Sequence, residues 1–188
     1  QSVVLAAEFA HQIPDSIDDG VAALIEPLAV AAWAAARVGS VLGKRIAITG
    51  AGPIGLLVLQ TVIALGASET TITDVAPARL EVAAAFDIAF DCSGHPGAIA
   101  DAARSLGPAG ILALVGVPGR ALAEFPIGAV QRWELDIRGC FRYGPSAFAD
   151  AIALAGSARI DLAALVTSTY PLAESAAALE AALTDPTQ

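Results

Sequence analysis

The sequence predicts an α/β chain built on a doubly wound parallel sheet, and three observations carry that prediction. Short apolar runs of strand length alternate along the 188 residues with longer runs of helix length. The strand-like runs are apolar on both sides, Gly110–Val117 most of all, as a sheet covered on both faces requires. Finally, the run Ile46-Ala47-Ile48-Thr49 passes directly into Gly50-Ala51-Gly52-Pro53-Ile54-Gly55. Asp74 follows 19 residues later, at the end of a second strand-like run, Thr71-Ile72-Thr73. Strand, glycine turn, helix, strand and acid in that order make a nucleotide-binding turn of the Rossmann type.

Residues 1–20 read as a strand, Ser2–Ala7, then a loop with Pro14 and the acids Asp15, Asp18 and Asp19, where Asp15 or Ser16 is placed to cap a helical turn. Val21–Val38 has a helical, alanine-rich pattern interrupted at Pro27. After the first strand, Ile54–Leu65 is the helix of the glycine turn. Val75–Ala85 opens another helix, with Pro77 in its first turn. Phe86–Cys92 is a strand, Pro96–Ser105 a helix, Gly110–Val117 a strand, Ile127–Trp133 a short helix and Leu135–Phe141 a strand. Pro145–Ala155 and Leu172–Leu183 read as helices, with a strand Ala164–Tyr170 between them.

One interval is too short for this scheme. Between Asp74 and Phe86 lie 11 residues, most of them helical, whereas a parallel crossover needs about a dozen or more. The sheet is therefore expected to lack one βα unit, either because the natural chain is shortened here or, the favoured reading, because about one unit is omitted between Ala83 and Asp87. Residues 27–141 are expected to form the nucleotide-binding domain, flanked by residues 1–26 and 142–188.

Each glycine of the turn has a mechanical task. Gly50 permits the tight exit from the strand, Gly52 lets backbone come close to a pyrophosphate, and Gly55 lets the helix pack on the strand. The helix amino end, with its unpaired N–H groups and dipole, favours an anion there. Asp74 then selects the cofactor: a carboxylate accepts hydrogen bonds from both ribose hydroxyls of NAD but repels the 2′-phosphate of NADP.

Composition excludes other classes. The formal net charge of −9 leaves no basic stripe for a nucleic-acid partner. The most apolar stretch, Val21–Ala36, holds Glu26 and Pro27 and is too short to span a membrane at about 20 residues. Cys92 and Cys140 lack metal-ligand spacing and read as buried free thiols of a reducing, cytoplasmic compartment. His11 and His95 stand apart from them. The chain begins at Gln1 and contains no methionine, which suggests a piece of a longer polypeptide.

Glu26-Pro27-Leu28, the glycine turn, Asp74 with Arg79, Asp91-Cys92-Ser93-Gly94 and Gly139-Cys140-Phe141-Arg142-Tyr143 occur together in this order. That set resembles the zinc-dependent medium-chain alcohol dehydrogenases, most of all their sorbitol and xylitol branch, over about residues 10–183. The resemblance implies an NAD-dependent oxidoreductase that transfers hydride between a polyol or other secondary alcohol and the nicotinamide. It also implies a catalytic zinc held mostly by an amino-terminal domain with no counterpart in these residues, with 1–26 as the tail of that catalytic domain and a linker, and 142–188 as a return segment toward it. In that likeness Gly50, Gly52, Pro53, Ile54 and Gly55 contact the pyrophosphate, Asp74 the ribose and Arg79 the adenine end. Val115, Gly116 and Val117 line the nicotinamide side, with Cys140, Phe141 and Arg142 at the cleft edge.

Glu26 would lie at the zinc, directly or through water, and Arg142 and Tyr143 would hydrogen-bond substrate hydroxyls. A carboxylate within Ile25-Glu26-Pro27-Leu28 is costly to bury without a cation or donor, so the three residues are expected to converge. Trp33 departs from the sorbitol pattern, where histidine is common. A silent NAD-binding module and a threonine or diol dehydrogenase of the same family are the alternative readings. The apolar strand around Leu135–Cys140 would form a sheet edge, which makes a dimer or tetramer plausible.

Overall fold

Residues 4, 6, 7, 10–74, 86–119 and 124–184 are described by the structure, a computed structural model. Five strands, β1 Arg45–Thr49, β2 Glu69–Thr73, β3 Phe86–Asp91, β4 Leu106–Leu114 and β5 Asp136–Gly139, form one parallel sheet in the order β2-β1-β3-β4-β5. The chain moves outward from β1 to β2, then returns to the other side of β1 for β3. A crevice therefore opens outside the carboxyl ends of β1 and β3, where ligands of such sheets bind.

The period of two along the strands explains the two covered faces. Ile46, Ile48, Ile88 and Phe90 point to one side and join Leu28, Leu57 and Ala151 from the helices α2 Ile25–Val38, α3 Pro53–Ala64 and α6 Ala147–Gly156. Ala47, Ala89 and Leu112 point to the other and meet Ala102 and Ala103 of α4 Pro96–Ser105. The remaining helices are α1 Asp19–Ala22, α5 Ile127–Trp133 and α7 Ser175–Thr184.

Several expectations change in detail. Asp18, and neither Asp15 nor Ser16, caps α1 by accepting from the Gly20 N–H at 2.8 Å. Pro27 does not interrupt α2, because it sits in the first turn, where a missing N–H leaves no bond unmade. The strand expected at Ala164–Tyr170 is absent: a 3-10 turn, Ala163–Leu165, gives way to irregular chain that reaches no sheet edge to pair with. The helix Val75–Ala85, Arg79 and most of the junction at 83–87 lie outside the described residues. Among the described residues no strand lies beyond β2. At the other end β5 is the edge strand, with Ile137 exposed.

Candidate nucleotide-binding site

The glycine turn crosses from β1 into α3. Gly50 has φ +94° and donates its N–H to the Thr73 carbonyl of β2 at 2.7 Å, so the turn is tied to the neighbouring strand end. A β-carbon on Gly50 would lie 2.9 Å from the Ser93 nitrogen, and one on Gly55 would overlap the Gly50 carbonyl oxygen. Gly52 differs. It is the N-cap of α3 with φ −71°, and a β-carbon there would meet nothing within 4 Å. Gly50 and Gly55 are required by the protein's own packing, whereas the space at Gly52 is open. No side chain caps α3 and no acid stands in its first turn, which leaves its amino end to an outside anion. Pro53 occupies the first helical turn, and Ile54 packs against the core. Asp74, one residue past β2, is exposed at the same end of the sheet.

Asp91 organises the adjoining strand ends, a role that motif reading alone did not assign. Its side chain is fully buried at the end of β3. One carboxylate oxygen accepts from the Thr49 hydroxyl at 2.8 Å, the Ser93 hydroxyl at 2.7 Å and the Ser93 N–H at 3.3 Å. The other accepts from the Gly94 N–H at 3.1 Å. The Asp91 carbonyl takes the N–H groups of Val115 and Gly116, both at 2.8 Å. Val115, Gly116 and Val117 thus lie just past β4, whose strand ends at Leu114 and not at Val117, and Val117 is largely exposed. Beside them a cavity of about 570 Å³ is lined by Ser93, Gly94, His95, Pro96, Val117 and Gly119. His95 caps α4, its Nδ1 accepting from the Gly97 N–H at 3.2 Å. The Asp-Cys-Ser-Gly stretch held the available signal: an acid ending an apolar strand, followed by a hydroxyl and a glycine.

Glu26 lies in the first turn of α2, where the helix dipole favours a carboxylate. The Gly43 N–H bonds the Gly66 carbonyl at 2.8 Å and ties the chain after α2 to the chain after α3, so both helices start at the carboxyl end of the sheet. Glu26 is exposed, with no ion pair among the described residues, so the expectation that its apolar neighbours would bury it is corrected. Ile25 and Leu28 turn inward, and the helical period turns Glu26 out. Arg142, at φ +52°, is exposed beyond β5, its guanidinium 5.2 Å from the exposed Phe141 ring and not paired with Glu26. Tyr143 is half-buried, edge-on to Phe148 at 4.9 Å, and Phe148 stacks on His11. A β-carbon on Gly144 would come within 2.7 Å of Trp33 Cε3, so Trp33 seats the Arg142–Tyr143 turn. Trp33 stands seven residues after Glu26, on the same side of α2.

Cys92 and Cys140 are free and half-buried, a correction to full burial. Burial, the charge of Asp91 and the nearby Cys140 push the Cys92 thiol up to about 12. Burial also raises Cys140, against the opposing pull of Arg37 and Arg138. Among the described residues no three of His, Cys, Asp and Glu gather as metal ligands. Glu26 is a single donor residue, short of the three protein ligands of a catalytic zinc, so these residues alone do not make a zinc site. Also among the described residues, no helix is long and apolar enough to cross a membrane.

Comparison with known proteins agrees with this architecture. Residues 83–157 match the family model described as zinc-binding dehydrogenase. Sorbitol dehydrogenase of Bacillus subtilis is 32% identical over 209 residues, covering 97% of this chain and 59% of that protein. L-idonate 5-dehydrogenase (NAD(P)(+)) of Escherichia coli is 33% identical over 184 residues, covering 86% of this chain and 53% of that protein. A crystal structure of L-idonate 5-dehydrogenase from Escherichia coli superposes with a TM-score of 0.83 at 30% identity, over 93% of this chain and 56% of that one. The chain spans a little over half the length of these relatives. With the parallel sheet, the glycine turn and the Asp-Cys-Ser-Gly strand end in place, the chain belongs to the zinc-binding, medium-chain dehydrogenase family.

Proposed function

We propose that this chain is the NAD-binding part of an oxidoreductase that moves hydride between a polyol or other secondary alcohol and NAD. The observation that carries the reading is the contrast within the glycine turn: Gly50 and Gly55 are closed by the protein's own backbone, while Gly52 opens at the uncapped amino end of α3. A pyrophosphate fits that opening, since it brings the anion the helix end lacks and needs the close approach that a β-carbon would prevent. Asp74 would take the two hydroxyls of the adenine ribose. Val115, Gly116 and Val117, with Cys140, Phe141 and Arg142, would border the nicotinamide, which when bound accepts or gives the hydride.

The protein's share of the chemistry in this reading is orientation. The turn holds the pyrophosphate, the ends of β3 and β4 fix the ring beside them, and Arg142 and Tyr143 direct substrate hydroxyls so that one carbon presents its hydrogen. Names of relatives support the substrate class, since sorbitol and idonate are both polyhydroxylated. No step is assigned to zinc on these residues. The exposed edge of β5 supports pairing with a second copy.

The test is calorimetric titration of the complete protein with NAD and NADP, followed by NADH formation from sorbitol, xylitol and L-idonate. Binding of NAD tighter than NADP, with turnover of at least one polyol, is the expected outcome. NADP preference would refute the role of Asp74, and absence of any dinucleotide binding would refute the reading as a whole.

A further inference from the structure

We infer that Asp91 is a positioning residue of the cofactor site: its buried side chain fixes the spacing of the three strand ends that border the nicotinamide half of the dinucleotide. The inference rests on the NAD-binding reading and adds to it a residue that touches no ligand. Three separate stretches meet at this one residue. Thr49 is the last residue of β1, directly before the glycine turn. Ser93 and Gly94 form the turn from β3 toward α4, and Val115 with Gly116 begin the chain beyond β4. All of them donate to Asp91 and none accepts from it.

That polarity explains the choice of residue. Four donors converge on the side chain, and a carboxylate has acceptor sites for all four and no donor of its own. An asparagine keeps one oxygen, but its NH₂ group would face either the Gly94 N–H or the Thr49 and Ser93 donors. A buried donor would then meet a donor, at the expense of a hydrogen bond on one side.

Glycines show how tight the spacing is. A β-carbon on Gly116 would overlap the Gly94 nitrogen and stand 2.8 Å from the Ser93 carbonyl carbon, and one on Gly94 would overlap the Val117 carbonyl. Backbone therefore touches backbone at Gly50–Ser93, Gly94–Val117 and Gly94–Gly116, and the Asp91 carboxylate fastens those contacts from below. The Ser93 hydroxyl carries the arrangement on, giving its proton to Asp91 and accepting the His95 N–H at 3.1 Å. Ser93, Gly94, His95 and Val117 are also walls of the 570 Å³ cavity. The side chain that sets their separation sets the width of that cavity.

The test uses Asp91→Asn in the complete protein, titrated at low temperature with NAD and, separately, with AMP, which occupies the Asp74 end of the site. The expected result is NAD affinity weakened at least tenfold, AMP affinity within twofold of wild type, and a native circular-dichroism spectrum. Ser93→Ala is the second variant, in case Asp91→Asn does not fold. It removes the 2.7 Å bond and the bond to His95 and leaves those from Thr49 and Gly94, so NAD should weaken about threefold to tenfold with AMP again unchanged. Wild-type NAD affinity in a folded variant overturns the inference, as does equal loss of NAD and AMP, which marks a general structural defect. Failure of wild-type protein to bind NAD would instead remove the functional reading on which the inference depends.

Discussion

Substituting alanine separately at Gly55 and Gly52 gives opposite results if the glycine turn works as its geometry requires. At position 55 the new β-carbon lies 3.0 Å from the Gly50 carbonyl carbon and overlaps its oxygen. Relief to an ordinary carbon contact of about 3.5 Å demands at least ~0.5 Å of movement, and the oxygen demands more. Gly50 has little room to retreat, since its N–H is held by Thr73 and its other side faces Ser93. Helix α3 must therefore lift from β1, an overpacking defect of about 1–3 kcal/mol. In a chain of this size that lowers the melting temperature by roughly 2–12 °C.

At position 52 the φ of −71° suits alanine and no atom stands within 4 Å, so folding is unaffected or gains up to about 1 kcal/mol. The loss falls on the ligand, whose pyrophosphate needs that space, and NAD affinity should fall at least tenfold. Differential scanning calorimetry and isothermal titration of both variants separate the two effects. A Gly55→Ala protein that melts like wild type, or a Gly52→Ala protein that binds NAD like wild type, would refute the division of labour.

Thr61 in α3 is fully buried and, among the described residues, its hydroxyl has no hydrogen-bond partner, so Thr61→Val, which keeps the shape, should stabilise the protein by about 1 kcal/mol and raise its melting temperature by roughly 2–4 °C. An unchanged or lower melting point would count against it. The Cys92 thiol, held at about 12 against an ordinary 9.0, favours the fold below pH 9, and that contribution is lost as the pH rises toward 12. Urea unfolding from pH 8 to 11 should show the decline, and Cys92→Ala should flatten it. Asp74→Ser combined with a neighbouring arginine should move preference from NAD toward NADP, read as the ratio of their dissociation constants. Arg142→Ala in the complete protein should raise KM for the polyol more than it lowers NAD affinity, whereas Glu26→Gln should chiefly lower kcat.

Most of the fold was legible because its signals are local. Helices at Pro96–Ser105 and Ile127–Trp133 have the expected bounds, and the strands fall within a few residues of the apolar runs. What failed depended on partners. Val166–Tyr170 has strand-like residues, but strand pairing needs an accessible edge, and none reaches it. Glu26 was assigned to the interior from its neighbours in sequence, yet the helical period separates it from Ile25 by about 100°. Asp91 was visible within its motif, but its function depends on Thr49, 42 residues away, and on a main-chain contact with Val115 and Gly116. No spacing rule exposes such a meeting.

The interior of α2 adds a thermal consequence to this picture. Its buried side consists largely of alanines, Ala29, Ala31, Ala32, Ala34 and Ala35, packed beside α3 and α6. Alanine has no rotamers to lose on folding, so these residues withdraw apolar surface from water without the side-chain entropy penalty that leucine or methionine would incur. They also have no alternative rotamers to visit once folded. Motion of α2 must then occur as displacement of the whole helix, so Glu26 at its start and Trp33 two turns later travel together.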